Sequence, residues 1–502
     1  MCFNELMIKT MLCLLMLLLA PWAEAQHGTV IHRGNGAEPD SLDIHQAQGL
    51  NSHNILFDLY EGLMTLDAAG NLVPGVAATY HYDAEQNSWH FQLRQAAKWS
   101  DGTAVVAADF IRAWRRANQP ETAAPYRHLF RNISQDGELQ VSSPNPYELV
   151  VQLNQPDASF LYQLTLPVFF PLPAETTSQP AGVSNGAYQL QQWQIQEHIT
   201  VVKNPHFHAA EQVKTERITF WVTENQHSEL LRFRAGQLDI TETIPDSQIN
   251  WLRDNMSDAL RIHPYYGTFF LGLNLNDQWL ANRQLRQALS LAIDRQILTD
   301  KVLKSGQLPA TQIVPPGSSA VSKAGFDLQA AKKRLLQSGF KTATHTLEIL
   351  YNNSDNQKKV ALAVAAMWRQ NLGIKTRLKS VEWKVFVNAR KGPNKQVFRS
   401  GWIADYRDPI NFLNLFHSQS HFNFYGYQND KYDALLQQLR QPKPNRAALL
   451  TQAESILQHD LPVIPLYHYV SRHLVQPHIQ GYIDNDMDRH LSRYLYSTPA
   501  GE

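Results

Sequence analysis

The residues best placed to meet a ligand lie in one short run. Val397-Phe398-Arg399-Ser400-Gly401-Trp402 reads as a strand that ends at Ala404-Asp405. In α/β folds ligands gather beyond the carboxyl ends of strands. The run Trp402-Ile403-Ala404-Asp405-Tyr406 sets a carboxylate between aromatic side chains at such an end. Such a carboxylate can anchor a cation by a charge-assisted hydrogen bond. It can equally be a turn or cap residue just after a strand, and the run alone leaves both readings open.

The motifs of group-transfer and redox enzymes are missing. The sequence has no Gly-x-Ser-x-Gly elbow, no P-loop and no Gly-x-Gly-x-x-Gly turn. No His-Glu-x-x-His occurs among the 20 histidines. His206-Phe207-His208 puts two imidazoles at strand spacing without a third ligand nearby in sequence, so a solvated loop is expected there rather than a metal site. No residue stands out as a nucleophile beside its base. These absences favour a binder over an enzyme and imply no cofactor.

The elements that position the run are mixed α and β. Trp89-His90-Phe91-Gln92-Leu93 alternates as a half-buried strand does. Asp67-Ala68-Ala69-Gly70-Asn71 reads as a turn between strands. Asp109 to Arg116 is helical, with Phe110, Ile111 and Trp114 on one face. Thr346 to Tyr351 is a strand, and Ser354-Asp355-Asn356-Gln357 fits a capping box that opens a helix. That helix carries Val360, Val364 and Met367 on one face, ends at Gly373, and leads into a strand over Ile374 to Leu378. The β-α-β order predicts parallel strands with a right-handed crossover. A second long helix is predicted from Asn282, with Leu285, Leu289, Ile293 and Ile297 on one stripe.

The N-terminus reads as a secretory signal. Lys9 precedes the apolar run Met11 to Leu19, and Ala23-Glu24-Ala25 supplies small residues at cleavage spacing. Cleavage is expected after Ala25, so residues 1–25 are a signal peptide and the mature chain begins at Gln26. Cys2 and Cys13 are the only cysteines and both fall in that segment. The mature chain then has neither disulfides nor thiolate ligands, and its fold rests on its cores. Lys+Arg and Asp+Glu number 45 each, which gives no electrostatic footprint for nucleic acid. The 11 Trp and 19 Tyr suit either large cores or an aromatic-lined cleft.

Several stretches, in order and spacing, carry a family resemblance. They are Gly34-Asn35-Gly36-Ala37-Glu38-Pro39-Asp40-Ser41-Leu42-Asp43, Leu59-Tyr60-Glu61-Gly62-Leu63, Lys98-Trp99-Ser100-Asp101-Gly102, Ser184-Asn185-Gly186-Ala187-Tyr188, Leu291-Ala292-Ile293-Asp294-Arg295 and Gly401-Trp402-Ile403-Ala404-Asp405-Tyr406. Across nearly the whole mature chain the sequence resembles the periplasmic oligopeptide-binding proteins of ABC transporters, the family 5 extracellular solute-binding proteins that bind peptides or murein tripeptide. The resemblance implies a two-lobed α/β periplasmic binding fold (class II type, cluster C) with an extra inserted domain. Lobe I would combine 26–60, 175–266 and 485–502, the small domain would be 61–174, and lobe II would be 267–484. Lobes joined by hinges close on a ligand between them. The implied partners are short peptides and the membrane subunits of an ABC permease, with a monomeric binder in the periplasm.

By the same resemblance Asp405 pairs with the α-ammonium group of a peptide, and backbone groups of Gly401 and Ile403 pair with the ligand like an added strand. Gly401 would let the ligand backbone approach. Trp402 and Trp383 match tryptophans that line side-chain pockets. Tyr126, Tyr265 and Phe270 match aromatic cleft residues, and Leu50 joins Gln48 on the cleft wall. Arg390 and Arg399 match arginines that meet the C-terminal carboxylate of short peptides, where a guanidinium fork pairs bidentately. Departures from the family pattern are visible too. Gly267 and Ile403 replace a bridging cysteine pair, Gln48 and Gly272 replace acids, Gln357 replaces a histidine, and Leu303 replaces a lysine, with Lys304 adjacent. The family's peptide-length and side-chain preferences are therefore not carried over. Alternatives are a murein tripeptide binder for cell-wall recycling, or an exported hydrolase, sensor or chaperone-like binder without transport.

Overall fold

The computed structural model describes residues 29–174, 182–316, 325–441 and 445–498. The expected signal peptide and its cleavage site lie outside the described residues. Strand β1 (Val30–Gly34) leads through helix α1 (Leu50–Leu59) to a hairpin of Met64–Leu66 and Leu72–Pro74. The Asp67–Asn71 turn closes that hairpin. The Asp67 carboxylate accepts from Ala69 and Asn71 N–H at 2.9 and 2.8 Å, and Gly70 takes a φ of +80°.

A four-stranded antiparallel sheet follows, built from β2 (Ala77–Asp83), β3 (Ser88–Leu93), β4 (Val141–Asn145) and β5 (Glu148–Gln152) in the order β2-β3-β5-β4. Helix α2 (Ala107–Asn118) buries Phe110 and Trp114 fully and Ile111 in part, as its periodicity predicts. The Trp114 indole donates to the Phe169 carbonyl at 2.8 Å, so the large ring is buried without an orphaned donor. The chain then returns. Strands β6 (Tyr188–Gln194), β7 (His198–Lys203) and β8 (Arg217–Trp221) complete a sheet with β1, in the order β1-β8-β7-β6. The β2–β5 unit is thus inserted between β1 and the strands that pair with it.

The remaining sheet has six strands. Strands β9 (Leu260–Leu273), β10 (Leu308–Pro309), β11 (Thr346–Asn352), β12 (Lys375–Val381), β13 (Val397–Ile403) and β14 (Val463–Leu474) run in the order β10-β14-β9-β13-β11-β12. The junction expected at 266–267 falls inside β9, at a register irregularity between Pro264 and Thr268 opposite β14. Helix α3 (Arg283–Leu291) starts where expected, with the Asn282 side chain accepting from Gln284 N–H. It does not continue along one stripe. The chain breaks at Ala292, and the Asp294 side chain caps a new start by accepting from Ile297 N–H at 3.0 Å. Ile297 is consequently 48% exposed, while Leu285, Leu289 and Ile293 are fully buried.

Helix α4 (Asp355–Leu372) joins β11 to β12, and those strands pair in parallel as the β-α-β reading predicts. Gly373 closes α4 at a φ of +72°. The capping box is absent. The Ser354 side chain makes no cap bond, and Gln357 Oε1 is buried without a partner. Helix α5 (Trp383–Ala389) is capped instead by Glu382, and it is followed by the short α6 (Ile410–Leu413) and the longer α7 (Arg446–Asp460).

Candidate functional site

Strand β13 has one paired edge and one edge that becomes free. Its register with β9 runs from Gly267↔Ile403 to Leu273↔Val397, and Ala404 N–H continues the ladder to the Tyr266 carbonyl at 3.0 Å. Alternation in an antiparallel ladder then turns the N–H and C=O of Gly401 and Ile403 away from β9. On that other side β11 pairs only with Val397 and Phe398. Beyond Phe398 the edge of β13 therefore presents, among the described residues, backbone groups of Gly401 and Ile403 with no strand partner on that side, leading straight to Asp405.

The Asp405 side chain is half-buried in a cavity of about 470 Å³ that is walled by His128 and Asp157 on one side and by Trp402, Tyr406 and Asn411 on the other. Asn411 Oδ1 accepts from the Trp402 indole at 2.6 Å and from Asp405 N–H at 3.3 Å, which ties the aromatic and acidic side chains to one loop. Burial pushes the Asp405 carboxyl above its ordinary value, against a hydrogen bond from Asn411 and the field of Arg489. Arg489 spends its own donors elsewhere. It donates to the Asp405 carbonyl at 2.5 Å and lies 4.9 Å over the Phe57 ring. Among the described residues the Asp405 carboxylate is in no salt bridge.

The aromatic candidates converge in part. The Tyr126 ring stands 6.1 Å from His53, and burial together with the Asp405 charge pushes its phenol up. Tyr265 is raised by burial first, then by several acids including Asp405. Tyr265 and Leu50 line a smaller cavity of about 40 Å³ that Arg489 also borders. Gln48 is exposed, with its N–H on the Asp40 carboxylate at 2.9 Å. Phe270 lines neither of these cavities. It is fully buried, with Phe416 and Tyr425 at 6.4 and 6.3 Å, because β9 turns that residue into the core beneath the sheet.

A cationic patch lies further back along β13 and α5. Arg399 sits 5.6 Å from the Trp383 ring and 5.7 Å from Phe269, and Arg390 sits 5.2 Å from Phe424. The Nε atoms of both arginines are buried without a partner. Burial lowers the Arg390 pKa, Tyr425 opposes that, and Arg399 adds to it. Trp383 is 49% exposed and available to a ligand side chain. Gln357 is half-buried at the start of α4.

Two glycines have local reasons of their own. A Cβ at Gly401 would stand 2.6 Å from the Tyr469 hydroxyl, so that glycine makes room for Tyr469 as well as for anything docking on the edge. A Cβ at Gly267 would lie 2.9 Å from Ile403 Cγ1. The isoleucine fills the space its cross-strand partner leaves, at the pair where the resemblance places a missing cysteine bridge. His208 is not in a solvated loop. It meets the buried Glu61 carboxylate at 2.7 Å, and Arg493 meets the same group at 2.6 Å. Sequence reasoning missed Asn411, Arg489 and Tyr469. Nothing in their local sequence marks them, since each reaches the site only through the tertiary fold.

Comparison with known proteins places this geometry. The family model for bacterial extracellular solute-binding proteins, family 5 Middle, matches residues 71–424. The periplasmic oligopeptide-binding protein OppA of Salmonella typhimurium is 34% identical over 499 residues, covering 92% of each chain. The unliganded open form of the periplasmic murein tripeptide-binding protein MppA matches with a TM-score of 0.82 at 31% identity, over 94% of this chain and 98% of that one. Haemophilus influenzae OppA in complex with RPPGFSPFR matches with a TM-score of 0.77 at 32% identity, over 94% and 99%.

Proposed function

The chain belongs to the bacterial extracellular solute-binding proteins of family 5, and from that premise we propose that it captures short peptides in the periplasm and hands them to an ABC-type permease. A peptide of any sequence offers an α-ammonium group and a row of backbone donors and acceptors. A receptor tolerant of side chains must hold those constant features. The observation that carries this reading is the free edge of β13 at Gly401 and Ile403, running into a carboxylate that no cation of the described chain neutralises. The edge adds the ligand as a strand. Asp405 fixes its amino end by a charge-assisted bond.

Trp402 and Trp383 supply flat apolar walls for side chains. Arg399 and Arg390 offer two guanidiniums to the far carboxylate. Tyr126, Tyr265 and Leu50 close the opposite side, with Gln48 and Gln357 at the rim. No bond is made or broken, so the reading needs neither catalytic group nor cofactor. The protein would act as a monomer, exported by a signal peptide cleaved after Ala25, with lobes at 26–60 plus 175–266 plus 485–502 and at 267–484 around an inserted 61–174 domain.

Calorimetric titration with a neutral tripeptide and its N-acetylated form tests the anchor. Acetylation and Asp405→Ala should each weaken binding by about 3–5 kcal/mol, because a buried charge loses its partner. Equal affinity for free and acetylated peptide would falsify the anchor. The murein tripeptide-binding protein among the similar structures favours a second reading, in which the ligand is a cell-wall tripeptide. Such a ligand carries the same ammonium group and additional carboxylates, which two guanidiniums outside any salt bridge among the described residues suit. Competition between an all-L tripeptide and L-Ala-γ-D-Glu-diaminopimelate separates the two readings.

A further inference from the structure

We propose that His473, Asp488 and His490 form a binding site for a divalent transition-metal cation, with zinc the best match to its donors. The three side chains come from β14 and from an extended C-terminal segment, and their ligand atoms all lie within 4.8 Å of one another. His473 Nδ1 lies 3.0 Å from the Thr241 carbonyl. A carbonyl only accepts, so Nδ1 carries a hydrogen and Nε2 is the nitrogen turned toward Asp488. Nε2 meets Asp488 Oδ1 at 2.8 Å. In the metal-free protein a proton on Nε2 makes this contact an ion pair, and a metal ion would take the place of that proton. The same carboxylate oxygen meets His490 Nε2 at 3.2 Å, and the two imidazole planes stand at 77° to each other.

The surroundings are those of a held ligand set. A backbone carbonyl fixing the far nitrogen of a histidine is the usual outer support of a metal ligand. Tyr482 stacks on His490 at 3.9 Å and 19°, which fixes the second ring. Asp488 takes a φ of +53°, a left-handed conformation that aspartate tolerates better than most residues. Glu242 lines the same small cavity and adds negative charge there, with its carboxylate accepting from Asn54 Nδ2 at 3.2 Å. Its neighbour Glu229 accepts from Glu242 N–H at 2.7 Å and adds negative charge. Two arginines border the cavity, and each is turned to other acceptors. Arg33 donates to the His490 carbonyl at 2.8 Å and to Ser492 Oγ at 2.7 Å, and Arg489 donates to the Asp405 carbonyl at 2.5 Å. Two imidazoles with carboxylate oxygens suit zinc rather than magnesium or calcium.

The test uses the mature full-length protein, stripped with chelator and titrated with zinc chloride by calorimetry in two buffers of different ionisation enthalpy. The expected result is about one ion per chain in the micromolar range or tighter, with about one proton released as the metal displaces the proton on His473 Nε2. His490→Ala should weaken binding by about 100-fold or more. Saturation only at millimolar zinc, or undiminished binding by folded His490→Ala, overturns the proposal. Should that variant fail to fold, anomalous diffraction at the zinc edge on the wild-type protein decides. Density between the three residues supports the site, and zinc bound elsewhere overturns it.

Discussion

Asp405 and Asp488 border neighbouring cavities of one cleft, and burial pushes both carboxyls upward. At Asp488 the charge of His473 and hydrogen bonds from His473 and His490 reverse that push, and the group ends far below the usual carboxylate range. At Asp405 only Asn411 and the more distant Arg489 oppose burial, and the group stays above its ordinary value. One carboxylate is satisfied within the fold. The other has no ion-pair partner among the described residues. The difference separates a charge held by the fold from one that the proposed peptide ammonium group would partner, because a fold does not gain stability from a buried charge it fails to partner.

The largest effect should come from removing the satisfied partner. Asp488→Ala leaves His473 charged or desolvated in a closed site, and urea unfolding should show a loss of about 3–5 kcal/mol. Asp405→Ala should change stability by less than about 0.5 kcal/mol or raise it, because it removes an unpaired group. Equal losses at the two positions would erase the distinction between them.

Much of the receptor side was legible in the sequence. The strand through Trp402, the acid just beyond it and the β-α-β unit beside it all follow from local pattern, because each is set by residues close in the chain. The satisfied side was not legible. His473 meets Asp488 and Thr241 across 15 and 232 positions, and neither contact leaves a local trace. The same limit shows at two places. The stripe from Leu285 to Ile297 is periodic, yet Asp294 starts a new helix there and buries Arg295 against the Pro465 carbonyl at 2.7 Å. Phe270 has the type of a cleft residue, but strand alternation sends it to the core. Periodicity tells which residues share a face. It does not tell which face the tertiary fold leaves open.

The receptor edge itself can be probed at Gly401. A methyl group there would stand 2.6 Å from the Tyr469 hydroxyl, and the tyrosine must move. Gly401→Ala should lower peptide affinity and cost about 1–3 kcal/mol of stability through overpacking. Adding Tyr469→Phe removes the clashing oxygen and should recover the stability. If affinity stays low in the folded double variant, the ligand needs the space over Gly401 directly. If affinity recovers fully, the glycine serves Tyr469 alone, and backbone docking at that residue is excluded.

Acidification offers a gentler probe of the same asymmetry. The Asp405 carboxyl lies above its ordinary value in the free protein, and a bound ammonium group favours its charged form. Peptide affinity should therefore be complete above the free-state pKa and fall as pH drops through it, approaching about tenfold per pH unit. Glu242 borders the neighbouring cavity and Glu229 accepts from its N–H, and both carboxyls are pushed up to about 7, mainly by burial, so the wild-type profile alone mixes contributions. Asp405→Asn supplies the reference. Its weaker binding should lose the acidic limb that lies above the ordinary aspartate value, and a limb unchanged from wild type would assign the effect to the glutamates.

Glu454 stands between the two aspartates in kind. Its carboxylate accepts from Val314 N–H at 2.7 Å, so it has donors, but it is in no salt bridge among the described residues, and burial raises it to about 7. A folded value above the unfolded one means that protonation favours the fold. Stability is then fullest below the ordinary glutamate pKa and declines as pH rises toward and through about 7. Glu454→Gln keeps an oxygen for the backbone donors and cannot ionise. It should match wild type near pH 4.5 and exceed it near pH 8 by about 1 kcal/mol, a figure reduced for the partial exposure of the side chain. The gain is small because two amide dipoles already offset part of the burial, which is more than Asp405 receives and less than the imidazoles give Asp488. A variant less stable than wild type at pH 8 would show that backbone donors alone suffice to hold a buried carboxylate charged, and Asp405 with its Asn411 bond would then need no ligand to explain it.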